Sequence, residues 1–162
     1  MKMKITGRFE GNIIKADGHI IPFSLPNAIV DEGKNLILDT MFTAETQYTW
    51  YCGLVETFTV QSASDTMASH AGWVEYQTYD ETVRQTWVAG AAVDKSVENP
   101  TTSYMEFTID DATSPTLDGF FITSVDTKGG TTGKLWCTAN FTTPPEVADN
   151  DVIQVQYIVT IA

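Results

Sequence analysis

The stretch Asp151-Val152-Ile153-Gln154-Val155-Gln156-Tyr157-Ile158-Val159-Thr160-Ile161 decides the fold. Ile153, Val155, Tyr157, Val159 and Ile161 alternate with Gln154, Gln156 and Thr160, the pattern of a strand with one face in a core and the other toward solvent. Upstream, Met105, Phe107 and Ile109 alternate in the same way with Glu106, Thr108 and Asp110, and Leu135, Cys137, Ala139 and Phe141 with Trp136, Thr138 and Asn140. Such half-buried alternation belongs to antiparallel sheets. Residues 117–124 read as a further strand, and residues 50–55, apolar on both faces, as a central strand covered on each side. Turn-forming residues separate these runs at 110–115, at Lys128-Gly129-Gly130, at Pro144-Pro145 and at Asp149-Asn150-Asp151.

Near the start, residues 12–15 and 19–22 flank Ala16-Asp17-Gly18, where Asp-Gly supplies the positive φ of a tight hairpin turn. Ile13, Ile14, Ile20 and Ile21 crowd a hairpin too small to bury them alone, so it is expected to be an arm over residues 1–28 that packs on a partner. The single helix is expected over about residues 29–42, with Ile29, Val30, Gly33, Leu36, Ile37 and Met41 on the side facing the sheet. Asp31 and Glu32 then fall in its first turn, where they complement the helix dipole. Between residues 57 and 100 the pattern weakens into loop with short strands, and no repeat recurs. The predicted architecture is all-β: an antiparallel two-sheet sandwich, jelly-roll-like, over residues 29–162, with one short helix and the N-terminal hairpin arm.

The chain has 162 residues and 17.8 kDa, 43% apolar and 19% charged, enough for one domain with an ordinary core. The 24 threonines favour pleated over helical backbone. Nine basic against 21 acidic residues give a formal charge of −12, which repels a phosphate backbone and argues against nucleic acid as a partner. No apolar run approaches the roughly 18 residues of a membrane span, and the first residues turn polar too soon for a cleaved signal. No membrane association is expected.

Chemistry-bearing patterns are sparse. Cys52 and Cys137 sit in strand-like runs and read as small buried hydrophobes, with a bridge as the alternative. A histidine base would have to be His19 or His70, and no nucleophile-elbow spacing surrounds either. No His pair or calcium-loop spacing suggests a metal, although Asp149-Asn150-Asp151 could touch a divalent ion if it is more than a turn. The run Lys128-Gly129-Gly130-Thr131-Thr132-Gly133-Lys134 leads into a strand and reads as a hairpin tip, not a phosphate loop. Arg84 could stack on Trp73 or Trp87, or pair with Glu75 or Asp80, tying the long loop to the sandwich. No catalytic residue, cofactor or metal ligand is assigned.

Several segments resemble a family of tailed-bacteriophage virion structural proteins: Asn35-Leu36-Ile37-Leu38-Asp39, Trp50-Tyr51-Cys52-Gly53-Leu54-Val55, residues 65–73, residues 79–87 and Gly129-Gly130-Thr131-Thr132-Gly133-Lys134-Leu135. The likeness runs from about residue 30 to the C-terminus and departs from the family at Cys52 and Gln85; the hairpin lies outside it. It implies a non-enzymatic particle component, made in the host cytoplasm and located in the virion. The head decoration (cement) role it suggests would make the major capsid protein and neighbouring copies the partners, in a homodimer or homotrimer. The alternative is a tail-fibre or receptor-binding module in which exposed Trp73, Tyr76 and Tyr79 stack on a host glycan. The expected contact residues are therefore Ile13, Ile14, Ile20, Ile21, Trp73, Tyr76 and Tyr79.

Overall fold

The computed structural model describes residues 3–162. In chain order it contains β1 (Ile5–Ile14), β2 (Ile20–Pro26), β3 (Ala28–Ile29), α1 (Asp31–Phe42), β4 (Trp50–Phe58) and β5 (Trp73–Tyr76). There follow β6 (Gln85–Trp87), β7 (Ser96–Glu98), β8 (Met105–Thr108), β9 (Gly119–Thr123), β10 (Leu135–Asn140) and β11 (Val152–Ile161). One sheet runs β2-β1-β11, with β7 and β8 sharing the far edge of β11; the other runs β3-β10-β9-β4, with β5 and β6 sharing the far edge of β4. All pairings are antiparallel, and the two sheets pack face to face as an all-β sandwich. The chain crosses between sheets after β2, β6, β8 and β10.

The alternation in β11 does what its pattern demands. Ile153, Val155 and Tyr157 enter the core between the sheets, where they meet Phe9 and Ile13 of β1, Met105 and Phe107 of β8, and Cys52, Leu54, Phe120, Ile122 and Ala139 of the opposite sheet. The N-terminal hairpin corrects the expectation of an arm. β1 pairs with β11 without a break from Ile5↔Ile161 to Ile14↔Val152, and Phe9 and Ile13 are fully buried. The physical reason is the backbone: β11 has a long unpaired side whose N–H and C=O groups need a partner, and β1 supplies it. The turn itself is as expected, closed between Lys15 and His19 with Gly18 at φ +89°. On the free edge, Pro22 and Pro26 remove two backbone donors from β2, which blunts it against further strand pairing.

The second sheet is buried on both faces, as the apolar run in β4 required. Its outer face carries a smaller cluster of Val30, Val55, Met67, Trp73, Phe121 and Leu135. Gly53 makes room there, because a Cβ at that position would stand 2.3 Å from the Phe121 ring. Leu135 was expected to share a face with Cys137; a register shift between them turns it to the outer cluster, which is the usual consequence of a β-bulge.

Helix α1 begins at Asp31, two residues later than expected, because Ile29 pairs with Cys137 in β3, and it has no side-chain cap. Its start is held to β10 instead: Glu32 accepts hydrogen bonds from Leu135 N (2.9 Å) and Lys134 Nζ (3.1 Å), and the Val30 amide donates to Trp136 O (3.1 Å). Gly33 allows this approach, since a Cβ would lie 2.6 Å from Trp136 O. Only Gly33 and Leu36 of the helix are buried. Met41, expected on the packed side, is 69% exposed.

Phe9 stacks on Phe120 across the sandwich with centroids 5.3 Å apart, and meets the tilted ring of Tyr157, its cross-strand neighbour, at 4.5 Å. Phe9→Ala is therefore expected to cost about 3–5 kcal/mol in equilibrium urea unfolding, and removal of residues 1–26 to prevent folding altogether. A soluble, cooperatively unfolding truncation would show that β1 is dispensable.

Candidate functional site

An open groove of about 410 Å³ lies beside α1, between residues of the two sheets. Trp50, Trp87 and Trp136 come from β4, β6 and β10; Val97 and Val159 come from β7 and β11; Leu36, Ile37, Thr40 and Met41 line the helix side, with Tyr48 from the following segment. Trp50 sits 5.9 Å from both Tyr48 and Trp136 between ring centroids. The bulge in β10 is what places Trp136 here, although the sequence alternation put it on a polar face with Thr138 and Asn140.

Two of the three indoles have no polar edge to offer a ligand. Trp87 Nε1 donates to Tyr157 O at 3.1 Å, and Trp136 Nε1 donates to Tyr157 Oη at 2.7 Å. Asn27 Nδ2 also donates to that hydroxyl oxygen at 2.7 Å, and burial pushes the phenol well above its ordinary pKa. Tyr157 thus fixes the groove floor from beneath and remains neutral. The groove walls that remain are carbon, with Thr40 and Gln47 as the polar lining residues besides Tyr48.

The apolar surface continues past the groove. Leu38, Met41 and Phe42 on α1 are 56%, 69% and 75% exposed, and their i,i+3 and i,i+4 spacing makes them neighbours on the helix surface. Met41 belongs to both the strip and the groove wall.

The residues expected to make contacts are distributed differently. Trp73, Tyr76 and Tyr79 are buried. Trp73 packs 4.8 Å from Phe121 and 3.8 Å from His70, Tyr76 Oη donates to Asp111 at 3.2 Å, and Tyr79 meets Phe107 edge-on at 5.1 Å. They are not available to stack on a glycan: Trp73 and Tyr76 belong to β5, not to a loop, and all three rings are buried against the sandwich. Ile13 is core and Ile21, its cross-strand partner, is half-buried with it; the Ile14↔Ile20 pair lies on the other face, and Ile20 is exposed. Of the seven, Ile14 and Ile20 alone keep a surface role open.

Arg84 takes the structural place expected of it. Its guanidinium is buried, donates to both Glu75 carboxylate oxygens (2.8 and 2.7 Å) and to Val125 O and Gly130 O (2.8 Å each), and lies 5.1 Å over the Phe121 ring. Glu75 also accepts from Gly129 N at 2.9 Å. The glycine-rich run at 128–134 is therefore a clamped turn. Asp151 acts similarly at the other end: it accepts from Ala16 N (2.9 Å), Ala148 N (2.8 Å) and Lys15 Nζ. Its lone pairs serve a turn, and among the described residues no His, Cys, Asp or Glu cluster of metal-binding size occurs.

His19 is exposed at the β1–β2 turn, and His70 Nδ1 hydrogen-bonds Trp73 O at 3.0 Å. Cys52 and Cys137 both lie opposite Ile122, on the strands to either side of β9. Two strand spacings, about 9.5 Å, separate them, beyond the reach of a disulfide. Burial pushes the Cys137 thiol up to about 12 and the Cys52 thiol well above its usual value. Among the described residues no helix is long and apolar enough to cross a membrane. No known family model and no curated protein matches this chain.

Arg84→Ala should cost about 3–5 kcal/mol in urea unfolding, because it strands a buried carboxylate. Removing both charges with Arg84→Met and Glu75→Leu should cost less than the two single changes added together. Additive losses would mean that the pair is not coupled. Both thiols should resist a disulfide-exchange reagent at pH 8 in the native protein and react fully in denaturant; rapid native labelling would contradict their burial.

Proposed function

We propose that this protein is a non-enzymatic structural component of a tailed-bacteriophage particle, and within the particle a decoration protein bound to the assembled head. The observation that carries the reading is the apolar surface formed by the exposed strip on α1 and the tryptophan groove beside it. On a soluble domain of otherwise acidic character, a continuous apolar area of this kind marks a protein contact. The segment resemblance to virion structural proteins supports the particle, and the rigid sandwich with its clamped loops suits a part that must present one surface repeatedly. Ile14 and Ile20 offer a second contact for a neighbouring copy, as homodimer or homotrimer packing about a lattice axis would require.

A receptor-binding module is the other reading, and the aromatic groove is what favours it. Sugar recognition needs convergent polar groups beside the rings, and the indole N–H groups of Trp87 and Trp136 are already engaged with Tyr157. The protein contact is thus the better fit to this groove.

Decoration stabilises a shell by mass action: at a free concentration of about 100 Kd, each occupied site adds about 2.7 kcal/mol. Heads carrying the protein should survive heat or osmotic shock that disrupts bare heads, and Leu38→Ser with Phe42→Ser should weaken their cosedimentation with the protein at least tenfold. Heads equally robust with and without the protein, together with a positive glycan array, would overturn decoration in favour of receptor binding.

A further inference from the structure

The groove differs in polarity along its length, and that difference selects an occupant. Its inner part is indole and aliphatic carbon. Its outer part adjoins the C-terminal half of α1, where the last turn contains no basic residue. The unpaired carbonyls of that turn concentrate the negative end of the helix dipole. Glu45 is held at the groove wall by Tyr48, whose hydroxyl donates to Glu45 Oε1 at 3.3 Å, and Asp39 is exposed on the same helical turns. The bases close by are already paired: Lys34 with Asp31 at 2.8 Å, and Lys134 with Glu32 at 3.1 Å. A second copy of the chain would bring the same acidic groups and a formal charge of −12 against this end, which opposes self-docking.

We propose that the groove docks an apolar, basic segment of another protein: a large aliphatic or aromatic side chain seated among Trp50, Trp87 and Trp136, with an adjacent Lys or Arg over the C-terminal end of α1. Under the decoration reading, on which this rests, that segment belongs to the capsid protein. The apolar anchor supplies affinity by burial. The flanking cation supplies orientation and a salt dependence, since rim charges are screened as the Debye length shortens.

The test uses the full-length protein and two synthetic peptides that share one Leu/Phe pattern, with Lys at every intervening position in one and Glu in the other. Three tryptophans line the groove, so intrinsic fluorescence reports occupancy directly. The Lys peptide should shift the emission and bind at least tenfold more tightly than the Glu peptide, with affinity falling several-fold between about 0.05 and 0.5 M salt. Met41→Lys should abolish this binding with an unchanged urea midpoint, because Met41 is largely exposed; Met41→Leu should retain it. Glu45→Lys should weaken the Lys peptide while sparing the fold.

Equal binding of the two peptides, binding by neither, or binding indifferent to Met41→Lys would overturn the proposal. So would a concentration-dependent dimer in sedimentation that Met41→Lys dissociates, which would assign the groove to a second copy. The decoration reading fails separately: if the Lys peptide binds but heads do not, the groove proposal stands and the head assignment falls. If heads bind wild type and Met41→Lys alike, the head assignment stands and the groove proposal falls.

Discussion

The ladder between β1 and β11 is the interaction on which the rest of the structure depends. Ten consecutive residue pairs join the two ends of the chain, from Ile5↔Ile161 to Ile14↔Val152, and each strand then serves as a template for another: β2 outside β1, and β7 and β8 outside β11. Without it the first sheet would lose its middle and the core would lose Phe9 and Ile13. Partners so remote in sequence must pay loop-closure entropy before any contact rewards it, which places this fold among the slower-folding topologies. The carboxylate of Asp151 closes the ladder's end by gathering Ala16, Ala148 and Lys15 where β1 turns and β11 begins.

The second sheet solves a different problem. Covered on one face by its partner sheet, it still carries Val55, Phe121 and Leu135 on the other, where Trp73 of β5 and Met67 of the preceding loop pack on them. Close by, Arg84 ties three segments together: its own loop before β6, Glu75 of β5, and Val125 O and Gly130 O of the β9–β10 connection. The Arg84 guanidinium lies over the Phe121 ring. The arrangement carries no chemistry toward a substrate. It holds the covering segments against the sandwich, while the apolar strip on α1 and the groove beside it stay at the surface.

How much of this was legible in the residues follows from which signals are local. Alternation in β11, β8 and β10 and the double-sided run in β4 each announced a strand, because side-chain period is a property of a few consecutive residues. The Asp17-Gly18 turn, the acidic first turn of α1 and the burial of both cysteines in strand-like runs were equally local, whereas the spacing that keeps those cysteines apart was not. The contact surface was not. Trp73, Tyr76 and Tyr79 sit in turn-prone sequence that looks exposed, yet packing claimed them; Trp50, Trp87 and Trp136 sit in strands or beside them, yet form the open groove. A tryptophan on the polar face of β10 was the one hint, and only the bulge between Leu135 and Cys137 gives it meaning.

By itself, then, the sequence determined an acidic all-β sandwich with one short helix and the positions of β4, β8, β9, β10 and β11, since these depend on period, turn residues and composition. The tertiary structure alone decided that β1 of the N-terminal hairpin is an inner strand of a sheet, that Arg84 chooses Glu75, and that three distant tryptophans meet beside α1. Those outcomes rest on pairings between residues far apart in the chain. Backbone groups satisfied by remote strands, and faces reversed by one extra residue in a ladder, leave no mark in any short window of sequence.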